Sequence, residues 1–145
     1  MAENTKEPKS TDPFHVLLVS IIFDPAKRKI LIARKDKDSD PELKGLTWFF
    51  PGTELHHGED MDKTLKKRIK EKTGFEVKNL GTVFSKVYPE RKDYLAIYFL
   101  CEVFKGKEKQ WKFYKEMKWV APEDLEKHFT ISFHPRLKEY IMNLK

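Results

Sequence analysis

The chain lacks several features that would assign its class at once. It contains one cysteine, Cys101, so no internal disulfide can form. No apolar run is long enough to span a membrane, and the polar residues 1–13 contain no hydrophobic signal segment. There is no internal repeat, no GxGxxG loop and no P-loop. These absences exclude a disulfide scaffold and the common glycine-rich phosphate loops, and they predict a cytoplasmic protein.

Acidic residues are fewer than basic residues in this chain. The chain has 29 Lys and Arg against 23 Asp and Glu, a net charge of +6. An anionic partner such as a nucleotide, a polyphosphate or RNA would suit this balance. A lysine-rich solvated surface explains it equally simply, and charge alone favours that explanation. The 145 residues, 39% of them hydrophobic and 13% aromatic, are enough for one domain with a real core.

Periodicity predicts strands, a central helix, more strands and a closing helix. Met61, Leu65 and Ile69 recur at i, i+4 and i+8, which gives the central helix one apolar stripe. Gly74 is placed to end that helix. The order of elements indicates an α+β fold, with residues 1–13 as a disordered leader and residues 14–145 as a single domain. The predicted strands are 14–23, 29–33, 46–50, 82–87, 94–104 and 112–120, and the helices begin at Asp60 or Asp62, at Pro122 and at Pro135.

The most specific motif is PGTELHHGEDMDKTLKKRIKEKTGF, residues 51–75. It resembles the Nudix box, a Gly-x5-Glu-x7-Arg-Glu-U-x-Glu-Glu-x-Gly-U pattern in which U is a bulky apolar residue. TWFFPG before the motif and KWVAPEDL after it add to the resemblance. The resemblance implies a Nudix-type α/β/α sandwich with a mixed, mainly antiparallel sheet. The positions that match the pattern are Glu59, Ile69, Glu71, Gly74 and Phe75.

Four positions depart from that pattern. Thr53 replaces the first Gly and Lys67 replaces the Arg, while Arg68 and Lys72 replace two of the Glu residues. These last two replacements reverse the charge at positions where the family carries carboxylates. The resemblance therefore assigns the family more firmly than it assigns the chemistry.

The resemblance implies hydrolysis of a nucleoside diphosphate linked to another moiety, with Mg²⁺ or Mn²⁺ as cofactor. Helical positions i, i+3 and i+4 share a face, and in the family they offer Mg²⁺ the hard oxygen ligands that it prefers. Here that face carries Arg68, Glu71 and Lys72, and its charge sums to about +1. The sequence therefore predicts a degenerate metal site and weak or lost hydrolysis.

The candidate site residues follow from the same resemblance. Glu71 and Glu59 are the catalytic candidates, although Glu71 also suits a helical ion pair with Arg68 or Lys67 and Glu59 suits a loop-orienting role. Gly52, through its carbonyl, and Glu71 are the metal-ligand candidates. The residues expected to contact phosphate or base are Arg68, Lys72, Tyr88 and Arg91. Further carboxylates that could restore a metal site are Glu90, Asp93, Glu108 and Glu116.

Two other groups of residues have competing interpretations. His56, His57 and Glu59 could form a transition-metal site, but adjacent loop histidines point apart, and solvated side chains are the simpler interpretation. Trp111, Phe113 and Tyr114 lie among lysines. They could form a nucleic-acid stacking stripe, although an amphipathic strand is favoured because no nucleic-acid motif accompanies them.

Three functions are consistent with these observations. The first is a Nudix hydrolase with a reduced metal site, in which Mg²⁺ arrives largely bound to the substrate. The second is a non-catalytic module without a cofactor, whose basic helix binds a nucleotide, another phosphate-containing small molecule or RNA. The third is a structural or protein-interaction role for the same fold.

Overall fold

The computed structural model describes residues 14–35, 48–87, 92–129 and 134–144. The first apolar run forms β1 (His15–Asp24), which pairs antiparallel with β2 (Lys29–Arg34). In the turn between them, Asp24 Oδ1 accepts a hydrogen bond from the Ala26 N–H at 2.9 Å. The predicted opening hairpin is therefore confirmed. The predicted leader, residues 1–13, lies outside the described residues, and its disorder and the single-domain division stay predictions.

The other elements complete one mixed sheet with helices. They are β3 (Trp48–Phe49), β4 (Gly52–Leu55), α1 (Met61–Thr73), β5 (Phe75–Val87), β6 (Tyr94–Gly106), β7 (Glu116–Val120), a 3-10 helix (Pro122–Lys127) and α2 (Pro135–Met142). In the described part of the chain the sheet has seven strands in the order β3-β2-β1-β6-β5, with β4 paired to β1 and β7 paired to β2. The β1–β6 pair is parallel and the remaining pairs are antiparallel, which confirms the predicted sheet type.

Helices cover both faces of the sheet because β1 is apolar on both sides. Leu18 and Ile22 pack in the core cluster beneath α1. Val19 and Ile21 point the other way, into the cluster that α2 and the 3-10 helix close. This arrangement confirms the α/β/α sandwich. No helix among the described residues is both long enough and apolar enough to cross a membrane. Cys101 is buried beneath α1, and burial raises the pKa of its thiol to about 12.

The central helix begins and ends as its sequence predicts. Asp60 caps α1, since its carboxylate accepts a hydrogen bond from the Lys63 N–H at 2.9 Å. Leu65 and Ile69 are buried, at 1% and 3% exposure. Gly74 ends the helix in a left-handed conformation with φ of 85°. The apolar stripe therefore directs the opposite, lysine-rich side of α1 to solvent.

Three strand predictions need correction. β5 begins at Phe75 rather than at residue 82, because Phe75 and Val77 bury their side chains and the ladder with β6 continues through irregularities. Lys78, Asn79 and Gly81 interrupt the apolar alternation between Val77 and Thr82, so the sequence pattern does not reveal this continuation. β4 is absent from the sequence prediction, because Pro51 favours the end of the preceding strand. β7 begins at Glu116 rather than at residue 112, because residues 111–114 form a turn.

Two glycines, one in the loop before α1 and one directly after its last residue, offer a paired test of packing at the helix end. Gly74 and Gly58 have nearly equal φ values, 85° and 86°. A Cβ at Gly74 would lie 2.1 Å from the Lys107 carbonyl oxygen, whereas a Cβ at Gly58 meets nothing within 4 Å. The two positions therefore share a left-handed φ and differ in the space available to a side chain.

We expect Gly58→Ala to lower the free energy of unfolding by about 1–2 kcal/mol, the cost of the left-handed conformation. Gly74→Ala should lower it by clearly more, since the backbone at Lys107 must move. Urea denaturation measures both values. Equal losses would contradict the close packing of residues 107–109 against the end of α1.

Candidate functional site

The end of α1 meets the start of β4 at a polar contact. Lys72 Nζ donates a hydrogen bond to the Gly52 carbonyl oxygen at 2.6 Å. Gly52 pairs with Val19 in the β1–β4 ladder, and a Cβ at this position would lie 2.8 Å from the Leu18 carbonyl oxygen. Glycine is therefore required by the close approach of β1. The β1–β4 ladder therefore fixes the position of the Gly52 carbonyl, which is predicted from the sequence as a metal ligand.

The Lys72 ammonium is largely enclosed. Burial lowers its pKa from 10.5 to about 8; the Lys35 and Arg68 cations act in the same direction, and Glu71 opposes them. Nζ also lies 4.7 Å from the centre of the Trp111 ring, a favourable cation–π distance. The backbone N–H of Trp111 in turn donates to the Lys72 carbonyl oxygen at 3.2 Å. At neutral pH a protonated ammonium is thus held between a carbonyl and an aromatic face.

Arg68 and Glu71 lie beside this contact in a loose ion pair. Arg68 Nη1 and Glu71 Oε1 are 3.8 Å apart, and the two side chains are 39% and 48% exposed. This is the helical pairing at i and i+3 that the sequence offered as one interpretation of Glu71. Pairs of this kind in solvent contribute little to stability.

The described residues around Gly52 do not fit a Mg²⁺ ion. No three His, Cys, Asp or Glu side chains in this part of the protein come together as a metal-binding group. A Mg²⁺ ion about 2.1 Å from the Gly52 oxygen would lie within about 5 Å of the Lys72 ammonium. At an effective dielectric of about 20, the two cations would repel each other by about 7 kcal/mol. The position beside the carbonyl already holds a cation that the chain itself supplies.

Glu59 shapes the loop that precedes α1. Its Oε1 accepts a hydrogen bond from the His56 N–H at 2.8 Å, and its own N–H donates to the His56 carbonyl at 3.1 Å. His56 and His57 are exposed to solvent, as the simpler interpretation of the histidines expects. These contacts give Glu59 a loop-orienting position; its catalytic role stays a prediction.

Glu108 and Glu116 are two of the carboxylates outside the motif that could restore a metal site. Glu108 and Glu71 line the same open groove beside α1. Glu116, by contrast, forms an ion pair with Arg34 at 2.7 Å. Of these two carboxylates, Glu108 is the one that lines the groove beside α1 together with Glu71.

Four predicted site residues precede β6 in the sequence: Tyr88, Glu90, Arg91 and Asp93. The Asp93 carbonyl accepts a hydrogen bond from the His15 N–H at 2.7 Å, which joins the starts of β6 and β1. Tyr88, Glu90 and Arg91 lie outside the described residues. The contacts of Tyr88 and Arg91 with phosphate or base, and the metal-ligand role of Glu90, therefore stay predictions.

One polar cluster has no counterpart in the sequence predictions. His15 Nδ1 contacts the Glu54 carboxylate, and the His15 ring stacks on Tyr94 with 4.6 Å between ring centres. His15 on β1 pairs directly with Tyr94 on β6, whereas Glu54 on β4 pairs with Leu17, two residues farther along β1. Strand pairing brings them together, and only correct registers for all three strands could have revealed the cluster. The contact between Lys72, Gly52 and Trp111 was missed for the same reason.

Solved structures with this fold come from several Nudix proteins. The MutT protein of Methanosarcina mazei Go1 is 17% identical with a TM-score of 0.72, covering 94% of this chain and 96% of that chain. A NUDIX-family hydrolase of Clostridium perfringens is 13% identical with a TM-score of 0.67, covering 90% and 97%. An ADP-ribose pyrophosphatase of Streptococcus suis 89-1591 is 19% identical with a TM-score of 0.59, covering 76% and 75%.

At these identities the structural likeness establishes the fold and nothing finer. A search of curated protein sequences finds no match. The sequence profile of the NUDIX domain, however, matches residues 13–142, which is nearly the whole chain and includes the motif that surrounds Lys72. The protein therefore belongs to the Nudix hydrolase superfamily.

Proposed function

We propose that this Nudix protein binds nucleoside diphosphate-linked compounds through a cationic site and hydrolyses them weakly or not at all with Mg²⁺. The observation that carries the proposal is the hydrogen bond of 2.6 Å from Lys72 Nζ to the Gly52 carbonyl oxygen. An ammonium at this position competes with a divalent metal for the same oxygen. It also offers positive charge directly to a diphosphate, so recognition does not require a metal.

The neighbouring charges support the same proposal. Arg68 is 39% exposed and its pairing with Glu71 is loose, so its guanidinium can turn to a phosphate with little loss. Lys72 keeps its charge at neutral pH because its pKa is about 8. Phosphate oxygens would be attracted to both groups, whereas a second cation would be repelled.

A second candidate is a slow metal-dependent hydrolase. Glu71 and Glu108 line the same groove, so a substrate that brings its own Mg²⁺ would find two carboxylates there. Two protein oxygens combined with substrate phosphates can hold Mg²⁺ in other enzymes. This candidate predicts that both carboxylates contribute to turnover, while the first candidate predicts that neither does.

Restoring acidic residues should restore metal chemistry. We expect the native protein to turn over nucleoside triphosphates, ADP-ribose and dinucleoside diphosphates below about 1 per second with Mg²⁺ or Mn²⁺, the lower end of ordinary enzyme rates. Arg68→Glu/Lys72→Glu should gain at least about tenfold, because it removes two cations and adds two oxygen donors. Phosphate release measures both.

Lys63→Glu/Lys66→Glu is the matched control, since it changes the net charge equally on the exposed side of the same helix. It should gain nothing. Native turnover at ordinary rates with Mg²⁺ would defeat the proposal.

Removing the ammonium should weaken metal-free binding. We expect Lys72→Met to lower the affinity for ADP-ribose in EDTA by about tenfold or more, because hydrogen bonds to charged groups contribute about 1.5–3 kcal/mol. Isothermal titration calorimetry gives the affinities. Lys63→Met, an exposed lysine two turns earlier in α1, should bind like the native protein. Unchanged affinity in Lys72→Met would show that this ammonium does not contact the ligand.

Neutralising Glu71 separates the two candidates. We expect Glu71→Gln to change the free energy of unfolding by less than about 1 kcal/mol, since its ion pair with Arg68 is exposed. Turnover of Glu71→Gln and of Glu108→Gln should equal any residual native rate. A loss of more than about tenfold in both variants, the effect typical of disturbed metal coordination, would favour the slow hydrolase.

A further inference from the structure

A second cationic surface lies on the outer side of α1, away from the buried ammonium. Lys63, Lys66, Lys67 and Lys70 recur at i, i+3, i+4 and i+7, and all four are exposed. They therefore form one stripe along the helix. Between this stripe, β5 and the end of β6 runs an open groove, here called the basic groove. Its lysines are Lys66, Lys67, Lys70, Lys78, Lys107 and Lys109.

The basic groove has more cations than its own carboxylates neutralise. Its six lysines face three glutamates. Lys66 pairs with Asp62 at 3.1 Å and Lys70 pairs with Glu76 at 3.2 Å. The other four lysines of the groove have no carboxylate partner in the described part of the chain. These four charges are available to an external polyanion.

Exposed aromatic rings accompany the lysines. Phe104 lines the groove with 54% of its surface exposed, and Lys78 Nζ lies 5.9 Å from the centre of its ring. Beyond Lys109 the chain continues to Trp111 and Phe113, whose rings are 4.6 Å apart, and Phe113 is 55% exposed. A solvent-facing phenylalanine among lysines does not stabilise a core, so its position points to a ligand with flat apolar faces.

The segment that carries Trp111 and Phe113 is hydrogen-bonded to the end of α1. The Lys109 N–H donates to the Thr73 carbonyl oxygen at 2.8 Å, and the Trp111 N–H donates to the Lys72 carbonyl oxygen at 3.2 Å. These two hydrogen bonds also occupy carbonyls at the end of α1 that would otherwise lack partners. The segment that carries Trp111 and Phe113 is thereby held against the end of α1, next to the groove that Phe104 and Lys109 line.

We infer that the basic groove binds single-stranded nucleic acid. Unpaired lysines neutralise the phosphate backbone, and exposed rings stack on unpaired bases, which is the combination that sequence-tolerant single-strand binding uses. A duplex offers the phosphates but hides the faces of its bases, and a lipid surface offers no bases. The inference does not use the contact between Lys72 and Gly52, although Trp111 lies beside that contact and the groove also contains Glu71 and Glu108.

Fluorescence anisotropy with a labelled twelve-nucleotide oligouridine, its DNA counterpart and a duplex of equal length tests this inference. We expect both single strands to bind more tightly than the duplex. Four phosphate contacts at about 0.7 each predict a slope of about −3 for the logarithm of affinity against the logarithm of salt concentration. A preference between the two single strands identifies whether the 2′-hydroxyl contributes.

Variants locate the binding to the basic groove. Lys67→Ala/Lys107→Ala should reduce the salt slope by about 1.4 and weaken binding at low salt, and Lys67→Arg/Lys107→Arg should keep both. Phe104→Ala should weaken single-strand binding by about fivefold or more without changing the slope. Lys127→Ala/Lys138→Ala changes the net charge equally on the opposite layer, at side chains that are 75% and 53% exposed. This control should bind like the native protein.

Several results would overturn the inference. They are duplex binding as tight as single-strand binding, equal losses in the control and groove variants, and affinity for anionic lipid vesicles but not for oligonucleotides. Circular dichroism melts confirm that each variant folds; these side chains are exposed and should tolerate replacement. Arg68→Glu/Lys72→Glu distinguishes this failure from failure of the proposed function, because it alters the nucleotide site and leaves the groove lysines in place.

Discussion

The hydrogen bond from the Lys72 ammonium to the Gly52 carbonyl joins three parts of the chain at one point. Gly52 is held against β1 by the sheet, Lys72 is held at the end of α1, and Trp111 covers the ammonium from the segment before β7. The cation is partly buried, which costs solvation, and the carbonyl and ring offset part of that cost. Because this position is already positively charged, the surroundings favour anions over a second cation.

One short helix, α1, presents two different basic surfaces. Leu65 and Ile69 fix the buried side of α1, so its lysines divide between the end that meets Gly52 and the side that faces solvent. The end is enclosed, and the outer side, with Phe104 beside it, is open. Under the two proposals, the first would bind a small phosphate compound and the second a chain of phosphates.

Local sequence patterns predict the elements whose apolar residues follow one regular spacing. The two-sided apolar run of β1, the i, i+4, i+8 stripe of α1 and the glycine after it each depend on neighbouring residues, and each was predicted correctly. β4 and the first half of β5 were missed. In β5 the ladder passes through polar residues and irregularities at Asn79 and Thr82, where pairing with β6 overrides the weak local pattern.

The sequence by itself determined the charge reversal, because helical geometry places positions 68, 71 and 72 together wherever the helix lies. It also determined the family, through a motif whose spacing reflects that geometry. Only the tertiary structure decided that Lys72 donates to Gly52, that Glu108 shares a groove with Glu71, and that Phe104 lies among lysines of α1. Long side chains reach partners that strand pairing and loop packing select, and no local spacing encodes those partners.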